Sequence, residues 1–89
     1  MAAGLRSDRM AEPLSLVLAS RISEIPPMNE SLAGYLSANG VPGEDILDMQ
    51  LAAEEAVTNI IRHGYRGRPG EIRITCTVRP DSIEIVIRD

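Results

Sequence analysis

The stretch Glu71–Asp89, EIRITCTVRPDSIEIVIRD, decides the fold. Side chains of a strand point alternately to its two faces, so Ile72, Ile74, Cys76 and Val78 share one face. Ile83, Ile85 and Ile87 do the same in a second run. The two runs meet at Pro80-Asp81-Ser82, a tight turn, and together they form a hairpin with one apolar face. Such a face needs a covering layer, and the upstream sequence must supply it.

Two helices precede the hairpin. The nearer one runs roughly from Glu44 to His63, with Glu44 and Asp45 where negative charge suits a helix N-terminus and Gly64 as its stop. The earlier one, PPMNESLAGYLSANG, opens on Pro26 and Pro27, passes through Leu32, Tyr35 and Leu36, and closes on a glycine cap at Asn39-Gly40. Before it, PLSLVLASRISEI from Pro13 alternates Leu14, Leu16 and Leu18 and reads as a first strand. The expected fold is therefore α+β: a two-layer α/β sandwich of order β-α-α-β-β, with both helices on one side of a small sheet. The domain spans 13–89, residues 1–12 form a flexible N-terminal segment, and RGRPG before the hairpin is loop by composition.

With 89 residues there is room for one domain, and with no Phe or Trp its core must be aliphatic. A net charge of -4 argues against a general nucleic-acid binder, whose affinity rests on cationic side chains meeting phosphates. Cys76 is the only cysteine, so an intramolecular disulfide is impossible, a reducing compartment is expected, and the residue is read as part of the core. The N-terminus lacks the apolar run of a signal peptide, and no segment approaches the length of a membrane span, so the expected location is cytoplasmic. A sheet of three strands that stops at Asp89 has open edges, which favours self-association as a homodimer.

The longer helix also carries a polar stripe. At about 100° per residue, Asp48, Glu55, Asn59 and Arg62 fall within an arc of roughly 60°, opposite Ile46, Ala53, Val57, Ile60 and Gly64. The solvated face of any amphipathic helix has this spacing. The residue types also permit chemistry: a carboxylate one turn before an asparagine sets a proton acceptor beside a neutral oxygen ligand. Magnesium takes such oxygen ligands while phosphates fill its shell, and Arg62 could meet a phosphate oxygen.

The run EEAVTNIIRHGY, Glu54 to Tyr65, resembles the asparagine box of the bacterial anti-sigma-factor serine/threonine kinases. Those proteins belong to the histidine-kinase-like ATPases of the Bergerat fold. The resemblance extends from about Pro13 to Asp89, because the first strand, both helices and the hairpin arrive in the family's order. IEIVIRD resembles the strand that ends in the aspartate of the family's first glycine box. The resemblance implies ATP and magnesium as ligands. It implies Glu55 as the general base that takes the proton of an attacking protein serine, Asn59 as the magnesium ligand, and Asp89 as the acceptor for the adenine amino group. Arg62 and His63 would either contact phosphate or close the helix. Glu54 has no family role and reads as a solvated charge.

The resemblance further implies a sigma factor and an anti-sigma antagonist as protein partners. The family's glycine boxes, lid and later strands have no counterpart within these 89 residues, so the chain is expected to be the N-terminal part of such a domain. GYRGRPGE lacks the spacing of a Walker phosphate loop and reads as a surface loop. Two alternatives to a kinase-type domain stay open: a non-catalytic regulatory module that binds a partner without ATP, and a small interaction domain that dimerises through an open sheet edge.

Overall fold

The fold is that of a computed structural model, which describes residues 12–64 and 70–89. Strand β1 (Leu14–Ala19) leads through a 3₁₀ turn (Ile22–Glu24) into helix α1 (Ile25–Ala38). Helix α2 (Gly43–Asn59) continues into a π turn (Ile60–Gly64), and the hairpin β2 (Glu71–Val78) and β3 (Ile83–Arg88) follows. The architecture is α+β in the order β-α-α-β-β, as the alternation and the two helical runs require. Residues 1–11 and the 65–69 part of the glycine-rich loop, with Tyr65 and Gly67, lie outside the described residues.

All three strands are antiparallel, in the order β1-β2-β3. The register sets Leu14 opposite Cys76 and Leu16 opposite Ile74, and on the other side of β2 sets Ile74 opposite Ile87 and Cys76 opposite Ile85. The alternating apolar residues of all three strands therefore fall on one face, in rows that cross the sheet. The hairpin closes where the Arg79 N–H donates to the Ser82 carbonyl at 2.8 Å, around the predicted Pro80-Asp81-Ser82 turn.

The first strand is shorter than the run from Pro13 suggests. It stops at Ala19, where the Arg21 N–H turns back to the Ala19 carbonyl at 2.8 Å and the Ala19 N–H donates to Glu24 Oε1 at 3.0 Å. Helix α1 then starts with Pro26 and Pro27 in its first turn, where no N–H is required for the helical ladder. Its end is a complete Schellman cap: the Gly40 N–H donates to the Ser37 carbonyl and the Val41 N–H to the Leu36 carbonyl, both at 3.0 Å. Gly40 sits at φ 80°, a conformation that a Cβ disfavours, so Asn39-Gly40 ends the helix for the reason read from the sequence.

Met28, Leu32 and Leu36 of α1 and Ala53 and Val57 of α2 close over Leu18, Ile72, Ile74 and Cys76, and all are buried. The core is aliphatic throughout. The Tyr35 hydroxyl reaches from α1 to accept the Val78 N–H at 3.2 Å, which ties the helix to the end of the central strand. Among the described residues no helix is long and apolar enough to cross a membrane.

Cys76 is fully buried, and burial pushes its thiol above the ordinary value of 9.0. Desolvation disfavours the thiolate in the folded chain only, so the unfolded chain releases this proton first as pH rises. The thiol's contribution to stability is therefore constant below about pH 8 and falls as pH climbs past the unfolded value. The expected readout is slow reaction with a disulfide reagent at pH 8, becoming immediate when denaturant is added. Rapid reaction of the native protein would contradict the burial.

Candidate functional site

The site is built on the outward face of the second half of α2. Ala53 and Val57, four residues apart, anchor the helix against the sheet, and this fixes its rotation so that Glu55 and Asn59 project away from the core. Glu55, Asn59 and Arg62 are exposed and line a single groove of about 530 Å³, together with Leu51, Ala52, Glu54 and Thr58. The groove thus brings a carboxylate, a neutral amide and a guanidinium within two helical turns.

One predicted member of the stripe, Asp48, and one candidate implied by the resemblance, His63, do not join this groove. Asp48 is exposed but belongs to another groove at the N-terminal end of α2, because a shared angle on the helical wheel ignores axial distance. Eleven residues of helix separate it from Asn59 by about 16 Å. His63 is exposed in the last turn and is absent from the residues lining the Glu55 groove.

The helix does not run to His63 as a regular α-helix. The Ile60 N–H is shared between the Ala56 and Val57 carbonyls, and from Ile60 the turn widens into the π form. Ile60 and Ile61 are consecutive, yet both pack against the core, and the wider turn accommodates the pair. Single π turns of this kind concentrate at functional sites in proteins. This one delivers Arg62 to the groove and ends at Gly64, as the sequence suggests for the stop.

Asp89, at the end of β3, arrives beside that stop. A Cβ placed on Gly64 would lie 3.1 Å from Asp89 Oδ2 and 3.3 Å from Ile60 Cγ2, tighter than ordinary van der Waals contact. A glycine here therefore leaves bare backbone against an exposed carboxylate. Gly64 itself is exposed, so it is not part of the buried face on which the helical wheel sets it.

Sequence reasoning missed the support behind the groove. Glu54 is half-buried rather than freely solvated, and its Oε1 accepts a hydrogen bond from Asn29 Nδ2 of α1 at 3.1 Å. Gln50 Nε2 donates to the Asn29 carbonyl at 2.9 Å. These two bonds clasp α2 to α1 and resist rotation of the helix that carries Glu55. Asn29 Oδ1 is buried and has no hydrogen-bond partner among the described residues. Leu47 and Leu51 were also not anticipated: they are 55% and 56% exposed, and Leu51 lines the groove.

Residues 18–89 match the model of the family described as the histidine kinase-like ATPase domain. The serine-protein kinase RsbW of Bacillus cereus (strain AH187) is 31% identical over 78 residues, which cover 88% of this chain and 49% of that protein. The proteins of the same name from Bacillus thuringiensis subsp. konkukian (strain 97-27) and Bacillus mycoides (strain KBAB4) are 31% and 30% identical over the same shares. The chain thus spans about half the length of the curated relatives it matches. Helix order, sheet and family match agree, and the chain belongs to the histidine kinase-like ATPase domain family.

Proposed function

We propose that this chain is the N-terminal part of the ATPase domain of a serine/threonine-protein kinase of the anti-sigma-factor type. One observation carries the reading: Glu55, Asn59 and Arg62 line one exposed groove on α2, and the helix ends in a glycine that leaves room for Asp89. The relatives' name, serine-protein kinase, supports the same class.

Asn59 offers an uncharged oxygen to magnesium, in keeping with a metal that takes few protein ligands when phosphates complete its shell. When bound, the ion neutralises phosphate charge. Arg62 lies where a guanidinium can meet a phosphate oxygen. Glu55, one turn from Asn59 and exposed in the groove, accepts the proton of an attacking serine hydroxyl. Asp89 accepts a hydrogen bond from the adenine amino group. His63 closes the helix, where a cation suits the dipole, or touches phosphate at the groove's end. By this reading the protein partners are a sigma factor and an anti-sigma antagonist, the location is cytoplasmic, and the active form is a homodimer.

The base selectivity tests this assignment. Adenine presents an amino donor where guanine presents a carbonyl acceptor, so a carboxylate at Asp89 should favour ATP over GTP by about tenfold or more. The preference should vanish in Asp89→Ala, as read by calorimetric titration of each nucleotide with magnesium. Equal affinity for ATP and GTP in the unaltered chain would remove Asp89 from the site.

One observation favours a second reading, a non-catalytic module that pairs with another protein. Among the described residues strand β3 has a hydrogen-bonded neighbour on one side only, and its Ile83, Ile85 and Ile87 are half-buried. Its free edge can accept a strand from a partner. A complex that forms equally with and without nucleotide would favour this reading.

A further inference from the structure

A second groove, of about 430 Å³, lies at the N-terminal end of α2, between the α1–α2 connection and the β2–β3 turn. Its floor is aliphatic. Val41, Met49, Val78 and Ile83 line it and are half-buried against the core. Its rim carries Asp45 and Asp48 from the first turns of α2 and Asp81 from the hairpin turn, all three exposed. The cation among the lining residues, Arg79, is already engaged, since its Nη2 donates to Glu84 Oε1 at 2.8 Å.

We propose that this groove is a docking site for a short basic, aliphatic segment of a second protein. Charge complementarity selects the occupant. Three carboxylates arranged around a low-dielectric floor focus a negative potential that attracts arginine and lysine side chains and repels acidic ones. An uncharged apolar segment would cover the floor but desolvate the carboxylates without pairing them. A segment with an aliphatic side chain for Met49 and Ile83, flanked by cations for Asp45, Asp48 and Asp81, meets both requirements. The groove sits at the opposite end of α2 from Glu55 and Asn59, so it can be filled while that site is in use. The proposal does not depend on the nucleotide reading.

The test is a titration of the isotope-labelled full chain with the peptide acetyl-Leu-Arg-Gly-Leu-Arg-amide, followed by NMR. The expected result is saturable shifts at the methyl groups of Val41, Met49, Val78 and Ile83. Affinity should fall at least tenfold in the Asp45→Asn/Asp48→Asn variant, whose exposed substitutions keep the fold and lower the melting temperature only slightly, through the lost charge at the helix N-terminus. It should also weaken as salt rises, because the paired charges lie at the rim. Equal binding of acetyl-Leu-Glu-Gly-Leu-Glu-amide, or shifts confined to residues outside the groove, would overturn the proposal. So would peptide binding seen only in the Arg6→Ser/Arg9→Ser variant, which would assign the groove to the chain's own N-terminal residues.

Discussion

Under the proposed assignment, Glu55→Gln lowers phosphoryl transfer by roughly 10²–10⁴-fold and leaves the affinity for magnesium-ATP within about twofold. The amide keeps the shape of the side chain and its exposed place in the groove, but it cannot take the proton of an attacking hydroxyl. It also removes a negative charge from a site meant for phosphates, so the ground-state complex is not weakened. The measurement is transfer of the labelled γ-phosphate of ATP to a serine of the antagonist protein, beside calorimetric affinity for the same chain. Loss of affinity in parallel with rate would move Glu55 from base to ligand. Unchanged rate would remove it from the reaction.

Leu32→Ala is expected to destabilise the domain by about 2–5 kcal/mol. Leu32 is fully buried in the centre of α1, between Met28 and Leu36 and over the sheet. Its neighbours are aliphatic, and the Schellman cap and the Tyr35 bond both fix the C-terminal half of α1, so they cannot collapse fully into the space. For a domain of this size the loss is a large share of the total stability, which is about 5–15 kcal/mol in ordinary domains. Urea denaturation should show it as a lower midpoint at an unchanged slope. Leu51→Ala serves as the control: that side chain is 56% exposed, and its replacement should change stability by no more than about 0.5 kcal/mol. A comparable loss for both leucines would contradict the described core.

Much of the fold is legible in the sequence because strong local rules agree. Alternation in Ile72–Val78 and Ile83–Ile87 fixes the faces of the hairpin, and once those faces must be buried the register follows. Asn39-Gly40 ends α1 because the chain needs a left-handed residue there. The polar set Glu55, Asn59 and Arg62 is legible because Ala53 and Val57 set the rotation of α2.

What was not legible depends on distance or on a second element. The helical wheel groups Asp48 with Asn59 because it has no axial coordinate, and the structure assigns them to different grooves. The π turn follows from two adjacent isoleucines that both pack inward, which leaves no signature apart from Ile60-Ile61 itself. Glu54 is tied down by Asn29, 25 positions earlier, and only the packing of α1 against α2 brings the two together. The exposure of Leu47 and Leu51 escapes a binary pattern for the same reason: leucine is counted as core until the neighbouring element is in place.

If α2 holds magnesium and a nucleotide as proposed, Asn59 reports it most directly. Calorimetric titration of the chain with ATP, with and without magnesium, should show binding that depends on the metal. Asn59→Ala should weaken that binding by about tenfold or more without altering the melting temperature, since the side chain is exposed. Absence of magnesium-dependent binding in the unaltered chain, or identical binding in the variant, would contradict the claim and leave the polar face of α2 as solvated surface.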